Sequence, residues 1–305
     1  MKVLIPGGSG LVGRALVREL TSRGHTCVIL SRRPEALAGF PAGTELTGWS
    51  GISAESLQPL LEGVDAVVHL MGESIGAGRW TEARKRSILD SRTQSTRAVA
   101  QALLTVGNSK IALVQASAVG FYGPQAGEAI SEDAPAGSDF LARVCREWEA
   151  ASASVEAAGH RRVVIRSGVV LSRDGGALPK MLMPFRFFAG GPLGDGRQVV
   201  PWIHIADEAA AICFLLENED ARGPFNLVAP EAVTNRQVGQ TIGKVLSRPS
   251  RLPTPAFAMR MMLGEMSTLV LDGQRAIPQR LLGAGFEFRF PDLESALRDL
   301  LGSSS

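Results

Sequence analysis

The sequence is poor in the residues that build several common kinds of site. Its 305 residues contain three cysteines and four histidines, with no CxxC motif and no metal-ligand spacing, so we expect neither a disulfide framework nor a metal site. Basic residues number 32 and acidic residues 30, which leaves no electrostatic footprint for nucleic acid. The longest apolar runs, such as residues 209–216, fall far short of the roughly 20 residues that a membrane span needs.

The first residues also lack the pattern of a secretion signal. The segment MKVLI runs directly into glycines, with no hydrophobic h-region and no small-residue cleavage site. With its unpaired cysteines, this favours a cytoplasmic protein. Hydrophobic residues make up 45% of the chain and charged residues 20%, which is enough for a sizeable core and excludes wholesale disorder. We expect a small-molecule substrate as the partner and leave a homodimer open.

The first half of the chain alternates two kinds of periodicity. Short apolar runs predict strands, helical spacing between them predicts helices, and residues 80–106 form the longest helical stretch. Strands that are buried on both faces and joined through helices are typical of a doubly wound parallel sheet. The predicted strands cover residues 3–5, 26–30, 65–70, 110–117 and 162–171.

The second half has a different character. Residues 175–201 are rich in Gly, Pro and Met, which predicts loops with short helices. Asp207 is expected to cap a helix through Leu216, and Thr234 with Gln237 forms a capping-box motif. The alternation at 286–290 predicts a short strand, followed by a last helix.

The strongest motif is the glycine-rich run at residues 7–13, GGSGLVG, which follows the first strand and opens the first helix. In that context the first glycine permits a tight turn, the middle one lets the backbone approach a diphosphate, and the last lets helix pack on strand. The helix N–H groups and the helix dipole then face the phosphates. We therefore predict a dinucleotide site here.

The end of the second strand indicates which dinucleotide is bound. Enzymes that use NAD usually place an acid there, which accepts a hydrogen bond from the ribose 2′-hydroxyl. This chain has Ser31, Arg32 and Arg33 and no acid. Arginine binds a 2′-phosphate with charge-assisted bonds, whereas an acid would repel it. We therefore predict NADP(H), with a surface role as the alternative for either arginine.

Four motifs in order give the chain a family resemblance: the glycine turn, DAVVHL at 65–70, SAVGFYG at 117–123 and WIHIAD at 202–207. The chain resembles the extended short-chain dehydrogenase/reductases, in their NAD(P)-dependent epimerase/dehydratase group. It is similar to the branch with YfcH-type and SDR39U-type epimerase proteins, which typically carry a small C-terminal domain. That narrower likeness rests on residues 79–82, 166–171, 175–180, 190–194 and 253–291.

The resemblance implies a Rossmann domain with a smaller α+β C-terminal lobe for the substrate and a cleft between them. Residues 1–171 would form the NADP-binding Rossmann domain, to which 202–230 return. Residues 172–201 and 231–302 would form the C-terminal lobe, and residues 303–305 would be a disordered tail.

The resemblance also implies which residues contact the cofactor. They come from the glycine turn, the end of the second strand, the end of the fourth strand and the long helix: Gly7, Gly10, Leu11, Val12, Ser31, Arg32, Leu70, Met71, Gly72 and Arg92. Arg92 falls where many extended members carry an active-site Asn.

The usual catalytic pair of the family, Tyr-x-x-x-Lys, is absent. Residues i and i+4 share a helix face, so the lysine would stabilise a phenolate whose ordinary pKa is about 10. Tyr122 is the only tyrosine, and the expected helix carries FLARV at 140–144. Ser117 lies where the family has Ser or Thr. We predict that Ser117 and Tyr122 polarise a substrate carbonyl or hydroxyl, with a packing role as the alternative for Tyr122.

Other polar residues carry weaker signals. His69 is expected to be a core residue, and a contact with the interlobe cleft is one alternative for His204. Lys180 and Arg186 would form either a basic patch for a phosphate-bearing substrate or a solvated loop. The chain is thus predicted to be an NADP(H)-dependent oxidoreductase or epimerase. A non-catalytic NADP(H)-binding regulator that senses redox state is the alternative, and a sugar-nucleotide epimerase proper is the third possibility.

Overall fold

The computed structural model describes residues 1–106, 110–125 and 127–302, so the predicted tail at 303–305 lies outside it. The strands in this part are β1 (Lys2–Pro6), β2 (Thr26–Ser31), β3 (Glu45–Gly48), β4 (Ala66–His69), β5 (Ala112–Ala118), β6 (Arg162–Ser167), β7 (Val169–Ser172), β8 (Gly175–Gly176), β9 (Val199–Val200), β10 (Trp202–His204), β11 (Gly223–Leu227) and β12 (Val233–Thr234).

The helices connect these strands and make up most of the C-terminal part. They are α1 (Leu11–Ser22), α2 (Glu82–Thr105), α3 (Phe140–Ala150), α4 (Ser154–Ala157), α5 (Leu178–Arg186), α6 (Ile205–Glu217), α7 (Asn235–Leu246), α8 (Ala256–Leu263), α9 (Thr268–Leu271), α10 (Gln279–Gly283) and α11 (Leu293–Leu301). Across the described ranges, none of them has both the length and the apolar character that a membrane crossing requires.

Seven strands form the central sheet in the order β11-β6-β5-β4-β1-β2-β3, and every neighbouring pair is parallel. The prediction of a doubly wound parallel sheet is confirmed. The strand order reverses between β1 and β4, which is where such sheets bind dinucleotides. β3 was not predicted from the sequence, because this edge strand pairs on one side only and has no apolar run of its own.

Apolar side chains on both faces hold the sheet between helices. On one face α1 and α6 pack together, with Leu16 and Leu20 fully buried in a core that includes Val3 and Ile5 of β1. On the other face α2 buries Val99 and Leu103 against the sheet. The helical spacing of these residues explains why the sequence predicts the elements correctly.

The predicted strand over residues 162–171 is wrong as a single element, because it breaks at Gly168. A Cβ atom there would lie 2.6 Å from the carbonyl oxygen of Pro201, so only glycine lets the two segments meet. After this break β7 leaves the central sheet and pairs with β10 and β8. The carboxyl end of β6 therefore lies at the junction of the two sheets.

The segment after β10 corrects a further prediction. Asp207 does not cap α6: the helix begins at Ile205, and Nδ1 of His204 accepts the cap hydrogen bond from the Ala206 N–H at 3.1 Å. The Asp207 carboxylate instead accepts from the N–H groups of Arg289 and Phe290, at 2.8 and 3.0 Å.

Residues 286–290 form no strand. Their alternation reflects aromatic packing, since Phe286 lies edge-on to Phe214 and Phe288. The predicted capping box of Thr234 and Gln237 at the start of α7 is confirmed.

The C-terminal part has its own core and also contacts α2 and α3. Leu178, Ile242 and Leu297, from α5, α7 and α11, are buried together. A separate apolar cluster joins Met266 to Ile88 of α2 and Val144 of α3. The segment after α8 thus covers the helix where the family's tyrosine and lysine are expected.

Candidate functional site

Two glycines of the turn after β1, Gly7 and Gly13, are packed too closely for a side chain. Gly7 has a φ of 87°, and a Cβ atom on it would lie 2.7 Å from the carbonyl carbon of Leu70. A Cβ atom on Gly13 would lie 2.5 Å from the Cα atom of Gly8. The turn therefore lies directly on the segment that follows β4, and α1 approaches it as closely as the backbone allows.

The first turn of α1 is left open for a ligand. Its N-cap residue is Gly10, with no capping side chain and no acid in the first turn. The N–H groups of Leu11 and Val12 have no acceptor within the helix. These groups and the positive end of the helix dipole fit a diphosphate, so the predicted residues Gly7, Gly10, Leu11 and Val12 form a suitable cradle.

The residues at the end of β2 form the outer part of the same edge, which we call the phosphate end (Ser31–Arg33). Ser31 Oγ accepts from the Arg33 N–H at 3.1 Å, and the Ser31 carbonyl accepts from the Trp49 N–H at 2.9 Å. Arg32 and Arg33 are exposed, and in the described ranges neither forms an ion pair. Both charges are therefore available to a ligand.

One further cation at this edge was not predicted. Arg14, in the first turns of α1, donates from Nη1 to the Ala38 carbonyl at 2.9 Å and lies 4.4 Å from the centre of the Phe40 ring. Arg14 lies four residues after Gly10 and therefore on the same face of the helix. This spacing is the feature of the sequence from which Arg14 could have been predicted. Arg14 fixes the segment after β2 to the helix.

The carboxyl ends of β5 and β6 carry a buried polar network, which we call the inner end (Ser117, Tyr122, Glu149 and Arg166). Ser117 Oγ donates to Glu149 Oε1 at 2.6 Å. Arg166 donates to both oxygens of the same carboxylate, at 3.0 and 2.9 Å. This is the bidentate geometry that makes arginine–carboxylate pairs strong. Glu149 was missed by the sequence analysis, although it lies four residues after Cys145 on one face of α3.

Tyr122 lies within this network and is 1% exposed. Its hydroxyl donates to Asn226 Oδ1 at 2.7 Å and accepts from Arg166 Nη1 at 3.0 Å. Burial raises the pKa of the phenol, so the neutral form is favoured. These are the features of the packing alternative, and a catalytic role for Tyr122 stays a prediction.

The part of α3 that faces α2 is apolar where a catalytic tyrosine and lysine are usual. Phe140 lies edge-on to Trp80, with ring centres 5.1 Å apart, and Val144 is buried beside them. Burial raises the pKa of the Cys145 thiol to about 12, so it stays protonated at neutral pH. This helix supplies no acid or base of the usual kind.

Arg92 of α2 borders the segment after β4. A Cβ atom on Gly72 would lie 3.1 Å from the Arg92 Cζ atom, so the two residues are in contact. The guanidinium lies 5.0 Å from the centre of the Trp148 ring, and Nη1 donates to the Ile88 carbonyl at 3.0 Å. Met71 faces the other way, toward Gly51 in the loop after β3. Residues 70–72 thus connect the glycine turn, the loop after β3 and Arg92.

The remaining candidates lie elsewhere. His69 is fully buried, and burial lowers its pKa to about 4, as expected of a neutral core histidine. His204 caps α6 and lies 3.2 Å from the Asp299 carboxylate. Lys180 donates to the Gly76 carbonyl at 3.1 Å, whereas Arg186 ends α5. No hydrogen bond or ion pair joins any two of these four described residues.

Comparison with known families and proteins gives consistent matches. A model of the NAD dependent epimerase/dehydratase family matches residues 3–228, and a model of a domain of unknown function matches residues 254–300. The epimerase family protein SDR39U1 of Mus musculus is 38% identical over 99% of this chain and 100% of its own length. The epimerase family protein YfhF of Bacillus subtilis is 40% identical over 99% of this chain and 98% of its own.

Solved structures of epimerase proteins are also similar to this chain. The chain is similar to the crystal structure of human epimerase family protein SDR39U1 (isoform 2) with NADPH, at a TM-score of 0.88 and 35% identity over the full length of both chains. It is also similar to a nucleoside-diphosphate sugar epimerase from Corynebacterium glutamicum, at a TM-score of 0.78 and 32% identity, covering 99% of this chain and 58% of the other.

Proposed function

Since this chain belongs to the NAD dependent epimerase/dehydratase family, we propose that it binds NADP(H) and acts as an oxidoreductase or epimerase on a small carbonyl, hydroxyl or sugar-type substrate. The observation that carries this proposal is an uncapped glycine turn beside two arginines at the end of β2, which form no ion pair within the described residues, with no acid at that strand end. The human relative that was solved with NADPH supports the same choice of cofactor.

In this proposal the diphosphate is held by the turn at Gly7 and Gly10 and by the N–H groups of Leu11 and Val12. Ser31 and Arg32 hold the 2′-phosphate. Leu70, Met71, Gly72 and Arg92 border the riboses. The cofactor, when bound, supplies hydride transfer at a carbon that carries oxygen.

Ser117 is the residue that we propose contacts the substrate oxygen. Its proton points to Glu149 at 2.6 Å, so its oxygen can accept a hydrogen bond from a substrate hydroxyl. Arg166 fixes the Glu149 carboxylate and thereby the direction of the Ser117 hydroxyl. Tyr122, as a second polarising group, is the weaker part of this proposal because both sides of its hydroxyl are engaged.

The cofactor proposal is tested by titrating the purified protein with NADPH and NADH in a calorimeter. We expect NADPH to bind at least tenfold more tightly, because a charged hydrogen bond to the 2′-phosphate contributes about 1.5–3 kcal/mol. No binding of either cofactor would overturn the proposal. Equal affinities for NADPH and NADH would show that the phosphate end does not recognise the 2′-phosphate.

A second function, as a non-catalytic NADP(H)-binding regulator, is favoured by the absence of Tyr-x-x-x-Lys and by the apolar face of α3. A panel of carbonyl compounds and nucleotide sugars mixed with NADPH separates the two. Oxidation of NADPH, or isomerisation without net consumption, supports an enzyme, and tight binding of an inert cofactor supports the regulator. A cytoplasmic location and a homodimer stay predictions of the sequence.

A further inference from the structure

Three large apolar side chains are exposed at one corner of the C-terminal part. Phe187 and Phe188 follow α5 and are 76% and 55% exposed, and Leu252, in the turn between α7 and α8, is 58% exposed. The two segments meet, because the Leu252 N–H donates to the Gly190 carbonyl at 3.1 Å. Single exposed apolar residues are ordinary, whereas a contiguous group of large ones typically marks an interaction surface.

Arginines accompany these side chains, and acids are missing. The Cζ atom of Arg248 lies 4.2 Å from the centre of the Phe188 ring, and Arg251 belongs to the same turn. Both arginines are exposed, and in the described ranges neither forms an ion pair. Residues 183–193 and 247–254 contain three arginines and no acid. We call this surface the apolar–basic patch (Phe187, Phe188, Leu252, Arg248 and Arg251).

The two arginines of the patch also line an open basin. Its volume is about 430 Å³, and Lys244 and Ser247 lie on its wall as well. Lys244 is paired with Glu294 at 2.6 Å, so the charges that are free to bind a ligand are those of the arginines. A guanidinium presents its donors in a planar fork that matches a phosphate group. The basin therefore suits a phosphate that lies next to apolar material.

Phe188 is held in a conformation that a phenylalanine rarely adopts. Its φ is 58°, in the left-handed region, at the position after a helix end where glycine is usual. The Ala189 N–H donates to the Pro184 carbonyl at 2.9 Å, so the end of α5 fixes this conformation. Because the ring stays more than half exposed, its burial does not offset the strain, and stability does not explain a phenylalanine here.

We propose that the apolar–basic patch attaches the protein to the surface of an anionic lipid bilayer. This inference does not depend on the proposed function, and such attachment needs no membrane-spanning helix. The phenylalanine rings enter the boundary between headgroups and acyl chains, while the arginines bind lipid phosphates. A second copy of the chain fits less well, because it would bring the same arginines together with no acid from these segments.

The test measures co-sedimentation of the full chain with phosphatidylcholine vesicles that contain or lack phosphatidylglycerol. We expect the wild type to prefer the phosphatidylglycerol vesicles and to be released by high salt, because anionic headgroups attract the arginines. Phe187→Ser should weaken this binding about tenfold, and Arg248→Gln and Arg251→Gln about fivefold each. The matched controls Leu104→Ser and Arg97→Gln alter exposed residues of α2 and should bind like the wild type.

Phe188→Gly separates binding from folding. Glycine adopts a positive φ without strain, so this variant should melt at or above the wild-type temperature and still bind the vesicles more weakly. The proposal is overturned if the wild type does not bind phosphatidylglycerol vesicles, if binding ignores lipid charge, or if the patch variants bind as tightly as the controls. A dimer that Phe187→Ser converts to a monomer, without vesicle binding, would assign the patch to a second copy instead.

Discussion

The two ends of the proposed cofactor cleft are built in opposite ways. At the phosphate end, Arg32 and Arg33 are adjacent in sequence, exposed and without ion pairs in the described ranges. At the inner end, Ser117, Glu149 and Arg166 come from three separate elements and bond to one another. The difference indicates that the phosphate end is free to bind a ligand, whereas the inner end also holds the protein together. Substitutions at the two ends should therefore differ in what they change.

Removal of the Arg166 charge is the most severe test of this comparison. Arg166→Gln leaves the carboxylate of Glu149 without its bidentate partner in a largely buried setting, and breaking such a pair costs about 3–5 kcal/mol. Arg143→Gln is the matched control. Arg143 pairs with Glu147 on the exposed surface of α3, the helix that also carries Glu149, and this pair contributes at most about 0.5 kcal/mol. Urea unfolding measures both. Similar losses for the two variants would show that the inner end is not structural.

A buried acid near the inner end should make stability depend on pH. Burial raises the pKa of Glu208 to about 8, while Ser167 donates to one of its oxygens. The folded state therefore keeps a proton that the unfolded chain has lost above about pH 4.5. Stability should fall as pH rises from about 4.5 to about 8, by about 1.4 kcal/mol per pH unit.

Glu208→Gln isolates this effect, because the amide keeps an acceptor for Ser167 and cannot ionise. The difference in unfolding free energy between variant and wild type should grow with pH across that window and level off above it. A difference that stays constant with pH would mean that Glu208 titrates normally.

At the phosphate end the expected effect is on binding and not on folding. Arg32→Gln should weaken NADPH by about 10- to 100-fold, in line with a charged hydrogen bond, and leave the weaker binding of NADH unchanged. The melting temperature without ligand should stay within about 1 °C of the wild type, since surface substitutions rarely exceed about 0.5 kcal/mol. If the affinities for NADH and NADPH fall by the same factor, Arg32 does not bind the 2′-phosphate.

Tyr122→Phe is expected to have the smallest effect. It removes a hydroxyl that bonds to Asn226 and Arg166, so we expect a loss of about 1 kcal/mol in stability and unchanged NADPH binding. With an identified substrate, unchanged turnover excludes Tyr122 from the chemistry. A loss of about 10²- to 10⁴-fold would instead restore it as a general acid.

The same contrast explains what could be predicted from the sequence. The glycine turn, the strands β1, β2, β4 and β5 and the capping box of α7 are each contained in a few consecutive residues, and all were predicted. The partners of Ser117 could not be, because Glu149 lies 32 residues later and Arg166 a further 17. No local periodicity reports that such residues meet.

The wrong predictions have a similar cause. Asp207 has the sequence context of a helix cap, and only the fold brings Arg289 and Phe290 within 3.0 Å of its carboxylate. The alternating phenylalanines after Leu281 have the pattern of a strand. In the fold, however, Phe286 packs against Phe214 of α6. In both cases a distant segment competes successfully with the local preference.

The bare start of α1 has a consequence for the lifetime of the protein. No side chain in the described ranges supplies an acceptor at this point, so a bound anion would complete the first turn of the helix. A coenzyme at a hundred times its dissociation constant would add about 2.7 kcal/mol to the folded state. Depletion of that coenzyme would therefore shorten the survival of the protein in the presence of proteases, so its abundance would follow the coenzyme supply.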